Sequence, residues 1–281
     1  MIRRANVYML LLILYMQLLR HVLVYFINSV SIHILQSVSL MLSFAVPFFL
    51  YFLYTKEKPS EILPLKPLSA LNTLLITCLS FLAIPIMMAV STAAAFFFDN
   101  NVVAFMDEIL NYPIILVVVS AAVLPAVLEE ITFRGIILTN FKILNIKKSA
   151  VLSGLFFGLM HIDLQQFPYA FLMGIVFAIF TFYTKSIVAP ILSHFIINAT
   201  MVILVYNVGE SIGQFPLIPS LIISIPAFFM AFKLFITHNL KNVTNEIPIE
   251  KTILKQKIVT WEFIAIFVVY IYSIAVMYTY T

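Results

Sequence analysis

The stretch Ala126-Val-Leu-Glu-Glu-Ile-Thr-Phe-Arg-Gly135 sets two adjacent carboxylates and a guanidinium inside an apolar run. Charges are costly in a membrane, so such a cluster reads first as a functional site there. On a helix, Glu130 and Arg134 stand four apart and share a face, where pairing lowers the cost of burying either ion. Glu129 lies about 100° around the helix, away from that arginine. The spacing predicts a division of labour. Glu130 is the ion-paired, structural carboxylate, and Glu129 is the freer, desolvated one suited to general-base work. The bland alternative is a charge pair that only fixes helix packing.

The surrounding chain explains why a membrane is the right medium. Its 281 residues are 63% hydrophobic and 10% charged, with mean hydropathy +1.10. A soluble domain carries about 25% charged residues. The deficit is spread over many apolar runs, which predicts an all-α, polytopic transmembrane helical bundle of eight or nine helices. One cysteine, Cys78, excludes an internal disulfide. No basic tract with interleaved aromatics is present, which argues against nucleic acid as a partner. The first apolar run is too long for a signal peptide and reads as a retained helix.

Hydropathy places spans at roughly 6–28, 33–54, 70–98, 114–140, 149–163, 167–184, 187–206, 217–236 and 259–280. The third is expected to tilt or bend at Pro85. Three regions follow: 1–112 with spans one to three, a core over 113–206 with spans four to seven, and 207–281 with the last two. With nine spans, fourteen of the sixteen Lys and Arg residues fall at one end of the bundle. They are Arg3, Arg4, Lys56, Lys58, Lys66, Lys142, Lys147, Lys148, Lys185, Lys233, Lys241, Lys251, Lys255 and Lys257. That end is the cytoplasmic one, which puts the N-terminus in the cytoplasm. The opposite loops carry Asp99, Asp107, Glu108, Asp163 and Glu210.

Two further spans carry polar groups. Gly154-Leu-Phe-Phe157-Gly158-Leu-Met-His161 has a small-xxx-small face that permits close helix approach, with a histidine beside it. His194-Phe-Ile-Ile-Asn198 turns an imidazole and a carboxamide the same way. Such a pair suits either an oxyanion or interhelical hydrogen bonding. At about 1.5 Å per residue, Glu129 and His161 lie roughly 17–20 Å from the basic end, and His194 to Asn198 roughly 10–17 Å. Three helices thus bring polar groups to one level.

Glu129-Glu130-x-x-x-Arg134, Phe157-x-x-x-His161 and His194-x-x-x-Asn198, in that order, resemble the three motifs of the CPBP family of CAAX-prenyl and bacteriocin-processing intramembrane proteases, also called Abi or Rce1-like. The likeness covers about residues 115–205 and all seven motif positions. It implies an intramembrane endopeptidase in which Glu129 and His161 activate water, His194 and Asn198 hold the oxyanion, and Glu130, Arg134 and Phe157 support them. A metalloprotease label leaves zinc open, with Glu129, His161 and His194 as ligands. The chain has no H-E-x-x-H, and a Glu/His-activated water needs no metal, so metal-independent chemistry is the preferred reading.

The expected partners are the lipid bilayer and a membrane-associated peptide or protein, either prenylated or a peptide precursor. The expected setting is a bacterial cell membrane. A non-catalytic immunity or scaffold protein of the same fold is the competing reading. An ion-coupled transporter would call for paired broken helices or an inverted repeat, and neither is evident. Among the remaining residues, Cys78 reads as a small core residue. Arg20 and His21 are expected to turn into the bundle or to a thinned interface. His33 and His238 read as solvated, Asp163 as a cap on the far end of the fifth span, and Trp261 as an interfacial anchor. Pro125, one turn before Glu129, is expected to loosen the helix there.

Overall fold

The computed structural model describes residues 1–25, 32–98, 112–208, 215–244 and 257–279. Among these the chain is all helical: α1 (Ile2–Val24), α2 (Ile32–Thr55), α3 (Pro59–Ile62), α4 (Ala70–Ala95), α5 (Ile114–Phe141), α6 (Ile146–Met160), α7 (Phe167–Thr184), α8 (Val188–Val208), α9 (Leu217–Asn239), α10 (Lys241–Thr244) and α11 (Trp261–Thr279). Seven of them, α1, α2, α4, α5, α7, α8 and α9, are long and apolar enough to cross a membrane. The fold is therefore an all-α polytopic bundle. All nine expected spans have a helix. The single-turn α3 and α10 were not foreseen, because one turn leaves no hydrophobic period to read. Asp99, Asp107, Glu108, Glu210, Lys251, Lys255 and the His33 side chain lie outside the described residues.

The fifth span departs from expectation in a way that matters. It runs Ile146–Met160, not 149–163. Asn145 caps its start by accepting from Lys148 N at 2.9 Å. At the other end Ile162 takes φ 51°, a left-handed conformation that β-branched residues rarely adopt. The chain reverses there, so His161 stands at the tip of α6. Fifteen residues reach only about 22 Å at the helical rise, short of a ~30 Å hydrocarbon core. The turn between α6 and α7 is accordingly buried in protein, with Asp163 6% and Gln165 0% exposed. The Gln165 amide nitrogen is anchored in the bundle: Nε2 donates to Ser91 O and Oγ at 3.2 and 2.6 Å. Asp163 caps the start of α7 by accepting from Gln166 N at 2.8 Å, rather than capping α6 in an open loop.

The α6–α7 hairpin is tight because glycines face each other. A Cβ on Gly174 would come within 2.7 Å of Gly154 Cα, and one on Gly154 within 2.9 Å of Phe171 O. The small-xxx-small face is used as expected: a Cβ on Gly158 would meet both the Phe167 ring, at 3.0 Å, and its backbone O, at 3.2 Å. Around the hairpin, α1, α2, α5 and α11 share one apolar core, and α4, α7, α8 and α9 share another.

Polar contacts tie the lysine-bearing helix ends together. Arg4 Nη1 donates to Glu57 Oε1 at 3.0 Å and Arg3 Nε to Glu262 Oε1 at 2.6 Å. Ile187 N donates to Pro64 O at 2.9 Å, and Asn242 Nδ2 to Tyr183 O at 2.9 Å. The beginnings of α1 and α11, the end of α2 and the α7–α8 turn are thus at one end of the bundle. Arg20 and His21 are exposed rather than turned inward. Cys78 is also exposed, not a core residue. His238 is exposed, and Trp261 is 64% exposed at the start of α11, as an interfacial residue should be.

Candidate active site

α5 carries the organising stretch, and its backbone is irregular on both sides of it. Val119–Val123 and Ile131–Ile137 are π-helical, flanking the α-helical Leu124–Glu130. Pro125 supplies no N–H to the ladder, and a widened turn directly before it accommodates the loss. The loosening expected from the proline thus takes the form of a π turn. A second π turn begins directly after Glu130, so both carboxylates sit between two departures from the regular helix.

Glu130 is fully buried and paired. Arg134 Nη1 donates to its Oε1 at 3.1 Å, and Arg134 Nε lies 3.0 Å from its Oε2. The guanidinium also donates through Nη2 to Gly174 O at 3.0 Å. It lies 4.5 Å from the centre of the Phe157 ring and 5.2 Å from that of Phe177. A delocalised cation on aromatic faces keeps favourable electrostatics without water. One link was not foreseen from spacing: Glu130 Oε1 also lies 3.0 Å from His194 Nδ1. The structural carboxylate therefore orients the imidazole of α8 as well as the arginine of α5.

Glu129 is 7% exposed, and its Oε2 meets no hydrogen-bonding group among the described residues. It lines a cavity of about 450 Å³ together with His161, His194 and Asn198. The four residues proposed from sequence thus share one hollow, drawn from α5, the tip of α6, and α8. His161 Nδ1 lies 2.8 Å from Phe157 O. A carbonyl oxygen only accepts, so Nδ1 holds the proton and Nε2 keeps its lone pair. Asn198 Nδ2 donates to Ala121 O at 3.1 Å. That bond uses one of its two N–H groups and fixes the plane of the amide.

Phe157 earns its place in the motif physically. Its ring meets His161 edge-on at 5.2 Å and His194 at 5.9 Å, and it lies under Arg134. Phe177 stacks on His194 at 5.3 Å with 26° between the planes. Both imidazoles are thereby held in place from the side. Phe177 and Gly174 escaped the sequence reading. With 27 phenylalanines in the chain, one more in an apolar helix carries no signal, and a carbonyl acceptor such as Gly174 O has none at any position.

Among the described residues, no three His, Cys, Asp or Glu side chains are grouped so as to hold a metal ion. Glu129, His161 and His194 border the same cavity without forming such a set.

Residues 111–200 match the family model described as Rce1-like, type II CAAX prenyl endopeptidase. The resemblance carried by the three motifs is therefore shown over that segment. A Bacillus subtilis (strain 168) protein named "Putative membrane peptidase YdiL" is 33% identical over 107 residues, 38% of this chain. The match covers 43% of that relative's own length. No solved structure matches the chain.

Proposed function

We propose that this multi-pass membrane protein is an intramembrane endopeptidase that hydrolyses a peptide bond in the cavity formed by α5, α6 and α8. The observation that carries the reading is the buried Glu129 carboxylate, whose Oε2 has no hydrogen-bonding partner among the described residues, beside a hollow that it shares with His161, His194 and Asn198. An unpaired polar group buried in an apolar bundle is costly, and such a cost is retained where chemistry uses it.

In the proposed reaction, water lies between Glu129 and the lone pair of His161 Nε2. Glu129 takes a proton as the oxygen attacks the carbonyl carbon. The C–O bond forms and the carbonyl π bond becomes an oxyanion. The second N–H of Asn198 donates to it, and so does Nε2 of His194 when that ring carries both protons, with Nδ1–H on Glu130. Collapse breaks the C–N bond, and Glu129 returns its proton to the leaving amine. Glu130 and Arg134 hold His194 in orientation, and Phe157 holds both imidazoles. No step requires a bound ion. The setting we propose is a bacterial cell membrane, with the lysine-rich end in the cytoplasm.

The test is comparative proteomics of membrane-derived peptides from cells carrying the wild-type chain or Glu129→Gln. Peptide ends that vanish with the substitution are expected. Identical peptide sets at equal protein levels would remove the protease reading and leave the immunity or scaffold role.

A further inference from the structure

We infer that the cavity receives its peptide from the non-cytoplasmic side of the membrane, as a neutral, apolar segment. The inference rests on the proteolytic reading above and adds the side of entry and the class of substrate.

The charge pattern and the cavity position give the direction together. Every described lysine, with Arg3 and Arg4, lies in or beside the end of the bundle held together by the Arg4–Glu57, Arg3–Glu262 and Asn242–Tyr183 contacts. Of the remaining described cations, Arg20 is near the far end of α1, and Arg134 is buried in its ion pair. Positive charge concentrates on the cytoplasmic side. The cavity sits in the other half. Its α2 wall is Gln36 and Leu40, four and eight residues from the start of α2 at Ile32. Its α4 wall reaches Ser91, four residues before the end at Ala95. Ser120 on α5 is six residues from Ile114, and His161 and Gln166 flank the α6–α7 turn.

Toward the basic end the same helices are closed. The Glu130–Arg134–His194 group fills the space below Glu129. Next, Leu63 lies so close over Gly135 that a Cβ there would meet its Cδ2 at 2.5 Å. Ser80 Oγ and Ser193 Oγ close α4 on α8 at 2.7 Å, and Asn72 and Asn239 exchange bonds at 3.1 and 2.8 Å across α4 and α9. A peptide approaching from the cytoplasm would have to part these contacts.

The lining gives the class. Met87, Met88, Met173 and Met201 supply adaptable apolar surface, and Gln36, Ser91 and Ser120 supply hydrogen-bonding groups toward the far end. None of the described lining residues is Lys or Arg, while Glu129 is an acid. An acidic segment finds no partner there; a neutral, apolar one does.

Cysteine accessibility in intact cells tests the side. In a Cys78→Ser background, Ser91→Cys and Ser120→Cys report the cavity and Lys58→Cys the basic end. Two cavity positions guard against one variant misfolding, and labelling after permeabilisation with a small permeant reagent verifies each. A membrane-impermeant thiol reagent is expected to label both cavity cysteines in intact cells to the extent seen after permeabilisation, and Lys58→Cys only after it. Labelling of the cavity cysteines only from the cytoplasmic side of inverted vesicles would overturn the inference, as would their labelling from neither side. These results do not depend on catalysis. If Glu129-dependent peptide ends exist but map to cytoplasmic segments, the entry side fails and proteolysis survives. If no such ends exist, the proteolytic reading itself fails.

Discussion

At the lysine-rich end, α4, α7, α8 and α9 meet through packed aromatics, paired amides and a serine pair; around Glu129, α2, α4, α5 and α8 stand apart around a hollow. Ser80–Ser193, Asn72–Asn239 and the Phe180–Phe235 contact at 5.0 Å belong to the first region. Glu129, with an oxygen that has no hydrogen-bonding partner among the described residues, belongs to the second. The same helices build both, so length and hydropathy do not distinguish them. The difference lies in what each polar group meets. Paired with one another, the Ser80, Ser193, Asn72 and Asn239 side chains hold helices together. Glu129 Oε2, buried without a hydrogen-bonding partner on a residue that borders the cavity, is available to water and substrate.

The two adjacent glutamates are the sharpest form of this contrast, and replacing each by glutamine should separate them. Glu129→Gln is expected to lower cleavage by about 10²–10⁴, the usual contribution of a positioned general base. Its thermal stability in detergent should be unchanged or higher, since a buried unpaired acid becomes neutral. Glu130→Gln should do the reverse in stability. It leaves the Arg134 guanidinium without its anion, and breaking a buried pair costs about 3–5 kcal/mol. Thermal unfolding of the two variants side by side checks this; equal melting temperatures would erase the distinction between structural and reactive carboxylate.

Asn198→Ala comes next. Losing one oxyanion donor costs about 10²–10³ in rate. Its existing bond to Ala121 O is a single neutral one, so stability should fall by only about 1 kcal/mol. A kcat loss with KM nearly unchanged is the expected signature, and full activity would take Asn198 out of the site. A parallel incubation with a strong zinc chelator should leave the wild-type rate unaltered. A rate that falls on chelation and returns with zinc would overturn the metal-independent mechanism.

How much of this was legible follows from where the information sits. Helix count came from hydropathy, which is a property of whole segments. The Glu130–Arg134 pair came from the i, i+4 rule within one helix, and the structure has it at 3.0 Å. The His194–Glu130 contact joins helices 64 residues apart in sequence, and no local spacing encodes it. The early end of α6 also escaped. Leu159 to Leu164 is apolar enough to continue a helix, and the reversal at Ile162 is imposed by packing of the α6–α7 hairpin, not by a glycine or proline. Cys78 was misplaced for a related reason: in a bilayer, a small side chain fits either a helix interface or the lipid side, and composition does not choose.

Packing supplies a prediction of intermediate size that links the two regions. Gly174→Ala would push a methyl into Gly154 Cα at 2.7 Å and Phe157 Cβ at 3.1 Å. Backbone cannot yield as a side-chain tip can, so α6 and α7 must separate, at about 1–3 kcal/mol for an overpacked site. Gly174 O, the acceptor of Arg134, and Phe157, which abuts both imidazoles, would shift together. Activity should therefore fall along with stability.

Ser80→Ala should have the smallest effect, and it is informative for that reason. Ser80 Oγ sits 2.7 Å from Ile76 O and 2.7 Å from Ser193 Oγ. Its loss removes a buried hydroxyl and leaves Ser193 to find another acceptor, a cost of about 1 kcal/mol. Ser193 is the immediate neighbour of His194, but it points toward α4, whereas His194 is held by Glu130 and Phe177. If the closed end serves only to hold the helices, melting temperature should drop slightly while cleavage rate per folded molecule stays the same. A large rate loss with little change in melting would mean that the α4–α8 contact also positions the imidazole, and the boundary between the two regions would move one residue toward the basic end.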